Sequence, residues 1–499
     1  MTTVEGRYNH LYEDREHFLK RAREAAKYTL PGLLPRRGHN KSQKLPDPYQ
    51  SMGARGVNNL SSKLLMALFP PNSPFFRLQI SDFELAQLTQ QEGQRAEVEE
   101  GLNKVERAVQ SHIEQEAIRT TAFEAIKNLV ITGNVLFYLD PDGGARIWQL
   151  DAYVVKRDAK GNVQEIVAHD SVATTELDEE TLAEVGPDLG RDEKEVSVYT
   201  HITRKQKQWY VVQEIKGRKI MGTEAQYPLD KCPYLALRWT KIDGESYGRG
   251  FVDEYIGDLK SLEGLTKATV EGAAAAAKVL FLVRSGSQTR IKTITEAPNL
   301  AARAGDANDV TVLTMDKHHD FQFALSMIER LEQRLSHAYL LTTSVQRQAE
   351  RVTAEEIRLM AGELEDALGG VYSVLAQELQ LPMINVLLHQ LQRRRKIPQL
   401  PKDSVQPKVV AGLEALGRGN DLQRLQSLFR SVQEAFGPEA AAEYFNVGDA
   451  ITRAGTALGV DMDGLVRSDE EVQQRREQQA QAEAMARQEP GQQGEPPQQ

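Results

Sequence analysis

The residue types that carry chemistry rarely stand, in this chain, at spacings that would let them act together. His318 and His319 are adjacent in "DKHHD", but metal binding needs imidazoles that converge, and neighbours in an extended segment point to opposite sides. "DPDGG" at 140–144 has the oxygen-rich look of a cation loop without the glutamate that would close it, so a solvated turn is expected. Glu355, Glu356, Glu363, Glu365 and Asp366 are close in sequence. The first two fall in the opening turn of an expected helix, where negative charge is favoured whatever the function. The glycines of "GARG" at 53–56 lack the lysine and preceding strand of a phosphate loop. No G-x-S-x-G elbow, H-E-x-x-H or Cys/His zinc spacing occurs. Cys232 is the single cysteine, which excludes internal disulfides and thiolate clusters and suits a reducing compartment. The expectation is a non-enzyme with no cofactor and no metal.

Cations cluster in two places. "QRRRK" carries Arg393, Arg394, Arg395 and Lys396 at a helix end, where the dipole favours positive charge anyway. Arg347, Arg351 and Arg358 lie in and just after the polar stretch "SVQRQAERVTAEEIR". Arg351 precedes a helix start, where a cation is disfavoured, so this cluster is the better candidate for phosphate contact. The whole chain carries a net charge of −10 with a pI near 5.7. That balance argues against a protein that grips nucleic acid along its surface, though not against one that nucleic acid slides past.

These groups must be positioned by helices for the most part. Thr353 and Glu356 form a capping box, and Ile357, Met360, Leu364, Leu368, Val371, Leu375 and Leu379 make an apolar stripe up to Pro382, the expected stop. A helix over 354–381 would span roughly 42 Å at about 1.5 Å per residue, longer than a small domain is wide. Gly369 and Gly370 interrupt it, each costing about 1 kcal/mol relative to Ala, which fits either a kink or close packing. The first 130 residues read as helices punctuated by prolines, and a period of two then marks a β-rich block over about 134–240. "SYGRGFVDEYIGDLKSLEGLTKATVEGAAAAAKV" returns to helix with Phe251, Tyr255, Leu259, Leu262, Leu265 and Thr269 on one face. Ala274 and Ala275 sit in its thin "AAAAA" end, which permits close approach of another backbone or reflects helix propensity alone. "VLFLV" and "VTVLTM" read as strands around a loop-rich stretch, and the Gln, Glu and Pro-rich end lacks the apolar surface to fold alone. The fold class is mainly α with a β-rich insertion (α+β). No stretch approaches the ~20 apolar residues of a bilayer span, so no membrane segment is expected.

"GARGVNNLSSKLLMALFP", "DGESYGRGFVDEYIGDLKSLE", "SVQRQAERVTAEEIRLMAGELEDALGGVYSVLAQELQLP" and "GLEALGRGNDL" closely resemble, in this order, the portal or head-to-tail connector proteins of short-tailed lytic bacteriophages of the podovirus type. The resemblance runs from about residue 8 to 468. It implies a twelve-subunit ring at one capsid vertex through which DNA is packaged and ejected, built as wing, stem, clip and crown. Carried over by position, it implies a wing over 1–245 (helical 1–133, β-rich 134–240), a stem helix over 246–278 and a clip with its return over 279–316. A helix and channel loop would follow over 317–353, a long kinked helix over 354–397 and a helical crown region over 398–468; beyond the resemblance, the composition of 469–499 predicts a disordered tail. The channel loop would carry Arg347 and Arg351, with Arg358 just beyond it. The implied partners are double-stranded DNA in transit, major capsid and scaffolding proteins, the terminase packaging motor, and tail adaptor and internal core proteins. The implied place is the virion, after assembly in the host bacterial cytoplasm. The alternative from another class is a cytoplasmic structural scaffold oligomer with no DNA role.

Overall fold

The computed structural model describes residues 3–35, 42–70, 75–80, 94–185, 194–276, 280–286, 306–313, 318–341, 368–399, 405–409 and 426–435, with a few single residues or pairs between them. It divides into two units, 1–411 and 412–499. In the second, the described part is chiefly a helix over 426–435.

The first unit is mixed helix and sheet, as its two hydrophobic periods predict. Three helices, α1 (Val4–Lys27), α2 (Met52–Leu68) and, after strand β1 (Phe76–Ile80), α3 (Gln94–Gln115), lead to α4 (Ile118–Thr132). Helix α4 is buried on nearly every side, with Ala122, Ala125, Ile126, Leu129, Val130 and Ile131 all at 0% exposure. An all-round apolar helix of this kind belongs at the centre of a core. From Asn134 the chain becomes sheet: β2 (Asn134–Leu139), β3 (Ala145–Trp148), β4 (Tyr153–Arg157), β5 (Val163–Ala173), then helix α5 (Glu179–Val185). Strands β6 (Glu195–Lys205), β7 (Gln208–Ile215), β8 (Arg218–Lys219), β9 (Ala225–Pro228) and β10 (Tyr234–Arg238) complete the block.

The β block is two antiparallel sheets. One has the order β10-β2-β3 and the other β4-β5-β6-β7-β8, with β9 also on β7. The run "RIWQLDAYVVKRD", which reads as one strand, is therefore two, parted by a turn at 149–152 where the Ala152 amide donates to Gln149 O. Strand β1 departs from the helical expectation for the first 130 residues. It pairs with β13 (Val405–Val409), Phe76 opposite Val409, and β13 itself lies within the stretch 398–468 expected to be helical. Neither five-residue segment is long enough for its alternation to stand out.

Beyond the sheets come α6 (Phe251–Ala276), the paired strands β11 (Leu280–Val283) and β12 (Val310–Leu313), and α7 (His318–Ala338). His318 and His319 therefore open a helix and are not in an extended segment. After residue 368 one continuous helical run contains α8 (Gly370–Leu375), a π turn (Ala376–Gln380) and α9 (Leu381–Arg393). Pro382 does not stop it. Proline is tolerated in the first turn after a register change, and the π turn supplies that change immediately upstream. The run Gly370–Arg393 is also long and apolar enough to cross a bilayer by length and composition, against expectation, but half of its apolar window is buried inside the molecule. Tyr372, Leu375, Leu379, Met383, Ile384, Leu387 and Leu391 join the same core as α4.

The glycines of "SYGRGF" show how closely α6 starts against α4. Gly133 ends α4 with φ 75°, and a Cβ on Gly250 would lie 2.4 Å from Ile131 O. Asn134 locks the approach by donating to Gly248 O at 2.8 Å and accepting from Gly248 N at 2.7 Å. Gly250→Ala is expected to destabilise the chain by about 2 to 3 kcal/mol, the cost of forcing backbone apart in a packed core. Gly101→Ala, where a Cβ meets nothing within 4 Å, is expected to be neutral or stabilising by up to ~1 kcal/mol; chemical denaturation of both variants checks the contrast.

Helix α1 is fastened to the larger sheet by charge. Arg7 grips Glu165 with Nε and Nη2, the latter at 2.7 Å, and His201 Nε2 lies 2.8 Å from the same carboxylate. Burial works to raise the Glu165 pKa, but the hydrogen bonds from His201 and Arg7 outweigh it and bring the group to about 2. A carboxylate depressed on folding contributes stability above its ordinary pKa and loses it as pH falls through the folded value. The stability gap between the native chain and Glu165→Gln is therefore expected to be full above pH ~4.5 and to close towards pH ~2, as followed by denaturation at several pH values.

Candidate functional site

The described residues bring no catalytic constellation together. What they build is a platform on α2 that receives the chain on both sides of the stretch 342–367. Helix α2 is set deep because its glycines admit no side chain: a Cβ on Gly53 would lie 2.2 Å from Tyr28 O, and one on Gly56 would lie 2.5 Å from the Tyr339 ring. Tyr339 follows the end of α7, fully buried, with its ring edge-on to Phe251 at 5.5 Å. Burial raises its phenol pKa, and its hydroxyl has no hydrogen-bond partner among the described residues.

The carbonyls at the end of α7 would be orphaned in this core, since the last turn of a helix has no partners of its own. Helix α2 supplies them. Asn59 Nδ2 donates to Tyr339 O at 2.9 Å and Leu340 O at 3.1 Å, and Lys63 Nζ donates to Leu340 O at 2.9 Å. Leu340 takes the left-handed conformation, φ 53°, and the Leu341 amide reaches back to Ser336 O at 2.8 Å. That is a Schellman-type ending on a non-glycine residue, held by its side-chain partners.

The chain returns to the same helix. The backbone turns at Gly369, φ 37° and ψ −102°, and α8 begins at Gly370. Tyr372 Oη donates to Ala67 O at 3.1 Å and Gln380 Nε2 to Leu68 O at 2.5 Å, so the last carbonyls of α2 are satisfied by the incoming run. Asn59 and Ala67 are eight positions apart, about 12 Å along the helix axis. One rigid helix thus sets the spacing of both anchors.

The π turn holds the incoming run to the smaller sheet. Glu378 Oε1 accepts from Arg238 Nη2 at 2.7 Å and its Oε2 from the Arg238 amide at 3.2 Å. Arg157 lies beside them, donating to Ser246 O, Gly161 O and Ala236 O at 2.7–3.1 Å. Burial lowers the Arg157 pKa to about 10, with Glu378 acting in the opposite direction, so the guanidinium stays charged at neutral pH. One buried guanidinium, Arg238, and one half-buried, Arg157, therefore face one carboxylate. The i→i+5 turn is what lets Glu378 reach Arg238 while Gln380 reaches α2.

Of the residues singled out in the sequence, Arg347, Arg351 and Arg358 lie outside the described residues, as do Glu355, Glu356, Glu363, Glu365 and Asp366. Gly369 and Gly370 are exposed, and a Cβ on Gly370 meets nothing within 4 Å. Ala274 and Ala275 are exposed at the end of α6. The "QRRRK" cations stand at the end of α9, where Arg394 donates to Pro141 O in the "DPDGG" turn. Cys232 is buried, and burial pushes its thiol up to about 12, which makes it inert. Sequence inspection passed over Asn59, Lys63, Tyr339, Arg157, Arg238, Glu378 and Gln380. The one signal available was the polar cluster Gln377, Glu378 and Gln380 around Leu379 in a largely apolar run.

The described residues form a mixed helix and sheet scaffold whose buried polar groups serve to anchor backbone. The chain belongs to the family of bacteriophage head to tail connecting proteins, which it matches over residues 1–466. It is similar to the portal protein of Escherichia phage T7, 41% identical over 95% of this chain and 90% of that protein. The portal protein of Enterobacteria phage T3 is 42% identical over 93% and 88%, and that of Pseudomonas phage phiKMV 32% over 94% and 92%. Among solved structures, the neck of a native gene transfer agent particle covers 82% of this chain and 90% of that one at 11% identity, with a TM-score of 0.35, too loose a likeness to bear on the fold.

Glu378→Gln keeps the shape and removes the charge, leaving Arg157 and Arg238 with no carboxylate. Breaking such a cluster typically costs about 3 to 5 kcal/mol. The variant is expected to lose stability in that range by denaturation, while Glu378→Gln combined with Arg238→Met recovers part of it.

Proposed function

We propose that this chain is the subunit of a portal ring at one vertex of a phage head, the conduit through which double-stranded DNA enters during packaging and leaves at ejection. Twelve copies make the ring, the number implied by likeness to the podovirus portals. The match of residues 1–466 to one family carries this reading. Residues 1–245 are the wing, α6 is the core of the stem, and the β11–β12 ribbon belongs to the clip. The crown follows the long helical run. Capsid and scaffolding proteins meet the wing, and internal core proteins lie on the inner side. The clip takes the packaging motor first and the tail adaptor later. The ring is assembled in the host bacterium and remains in the virion at the head-tail junction.

The two anchors on α2 support a particular division of labour. A segment that meets moving DNA has to be fixed where it leaves and rejoins the core, and α2 holds the chain on both sides of 342–367. Arg347, Arg351 and Arg358 face the channel in this reading. The net charge of −10 per chain keeps the conduit from binding strongly, while rings of arginine supply brief holds on the phosphates. Strong binding would stall transport. Gly369 and Gly370 are the kink of the long helix over 354–397 in this reading, and replacing both by alanine is expected to stiffen that helix.

Arg347→Ala with Arg351→Ala removes two positive charges per subunit from the channel and leaves the anchors intact. Rings of normal size and melting temperature are expected, since substitutions away from buried features usually change stability by less than ~0.5 kcal/mol. Heads built on them are expected to package slowly or to leak their genome, measured as nuclease-protected DNA per head. Unchanged protection would remove these arginines from the channel.

A further inference from the structure

Helices α6 and α7 form an antiparallel pair that projects past the core, and its surface is unusual in two independent ways. Phe323 on α7 is 70% exposed, the most exposed large aromatic among the described residues. On α6, Gly257, Ser261, Gly264, Ala268 and Ala275 are all exposed and recur at steps of three, four and seven, which places them on one face. Gly257 and Gly264 have no local reason to be glycine. Neither has a positive φ, and a Cβ on either meets nothing within 4 Å. Glycine is costlier in a helix interior than any residue but proline, and among the described residues nothing uses these two positions.

The register of the pair says which parts can meet. Arg334 bonds Asp258 at 3.0 Å, and the Phe321 ring lies against Gly272. Counting back two residues from Gly272 and on two from Phe321 sets Phe323 level with Val270. Around that level the small face offers Ala268 and Ala275. With the pair standing along the ring axis, as the stem proposed above, every copy keeps the same height, so a side chain on one copy meets the next copy at its own level. The knob and the small face are different surfaces of the same hairpin. Their contact is therefore heterologous, the type that closes into rings when the rotation allows.

We propose that Phe323 of one copy seats on the small-residue face of α6 in the next copy, between Ala268 and Ala275. This rests on the ring reading above and names the contact that closes the ring. It fits a second copy of this chain better than any other occupant, because one helix laid along this face covers Phe323 at the level of Val270 and, about 9 Å further along α6, uses the close approach that Gly264 permits. Leu325, two residues further on, is rotated about 200° around α7 and faces away from this contact.

The chain suits a cysteine cross-linking test, since its only native thiol is buried and inert. The full chain carrying Ala268→Cys with Phe323→Cys is assembled, treated with a short bismaleimide and run on a denaturing gel. A ladder of covalent multiples is expected, with each single-cysteine variant and Ala268→Cys with Leu325→Cys remaining at one chain. Phe323→Asp is expected to leave the circular dichroism spectrum unchanged while shifting sedimentation from rings to smaller species at least tenfold in favour of the latter. Rings without the ladder, or a ladder from the Leu325 pair in place of the Phe323 pair, would overturn this contact alone. Absence of rings from the native chain would overturn the ring reading itself.

Discussion

Two helix ends buried in one core need hydrogen-bond donors, and that need organises the centre of this molecule. The carbonyls that follow α7 and those that end α2 are both shut away from water. A buried, unpaired peptide carbonyl costs about as much as a lost hydrogen bond. The chain resolves both on α2, whose Asn59 and Lys63 serve α7 and whose own last carbonyls take Tyr372 and Gln380. Because donors and acceptors sit on one rigid rod, the chain leaving at residue 341 and the chain returning at residue 368 are held at a fixed distance. The glycines of "GARG" make this possible by letting α2 lie against the backbone of Tyr28 and the ring of Tyr339.

Charge extends the same frame outward. Glu378 ties the π turn to β10 beneath Arg157, and Arg394 ties the end of α9 to the turn between β2 and β3. Glu165 ties α1 to the larger sheet. Each of these joins elements more than 100 residues apart in sequence. A portal subunit has to transmit force between a wall, a channel and a docking end without coming apart, and long-range polar ties inside an apolar core resist sliding in a way that apolar contacts alone do not. The π turn belongs to this logic: a regular α-helix would rotate Glu378 or Gln380 by about 100° off its partner.

Much of the fold was legible along the chain. The shift from helical to alternating periodicity near Asn134, the apolar faces of α1 and α6, and the strand character of β11 and β12 all follow from local pattern, because burial on one face leaves a period in the sequence. Family membership was legible too, since collinear stretches such as "SYGRGFVDEYIGDLKSLE" are set by packing that tolerates little change. Gly133, Gly248 and Gly250 lie against one another's backbones, which is why glycine stands at each.

Other features had no local signature. The pairing of β1 with β13 joins two five-residue segments across more than 300 positions, and neither shows a period long enough to recognise. Pro382 looked like a stop because proline ends a regular helix, and only the π turn upstream, fixed by Glu378 and Gln380 reaching separate partners, lets the helix continue. Asn59, Lys63, Arg157 and Arg238 read as ordinary polar residues until the core closes around carbonyls and carboxylates that need them. The sequence by itself determined most of the element types, the family and the absence of a reactive motif, because periodicity and motif are properties of neighbours in the chain. Tertiary structure alone decided which polar residues matter, because the cost of an unpaired group exists only once distant segments have excluded water from it.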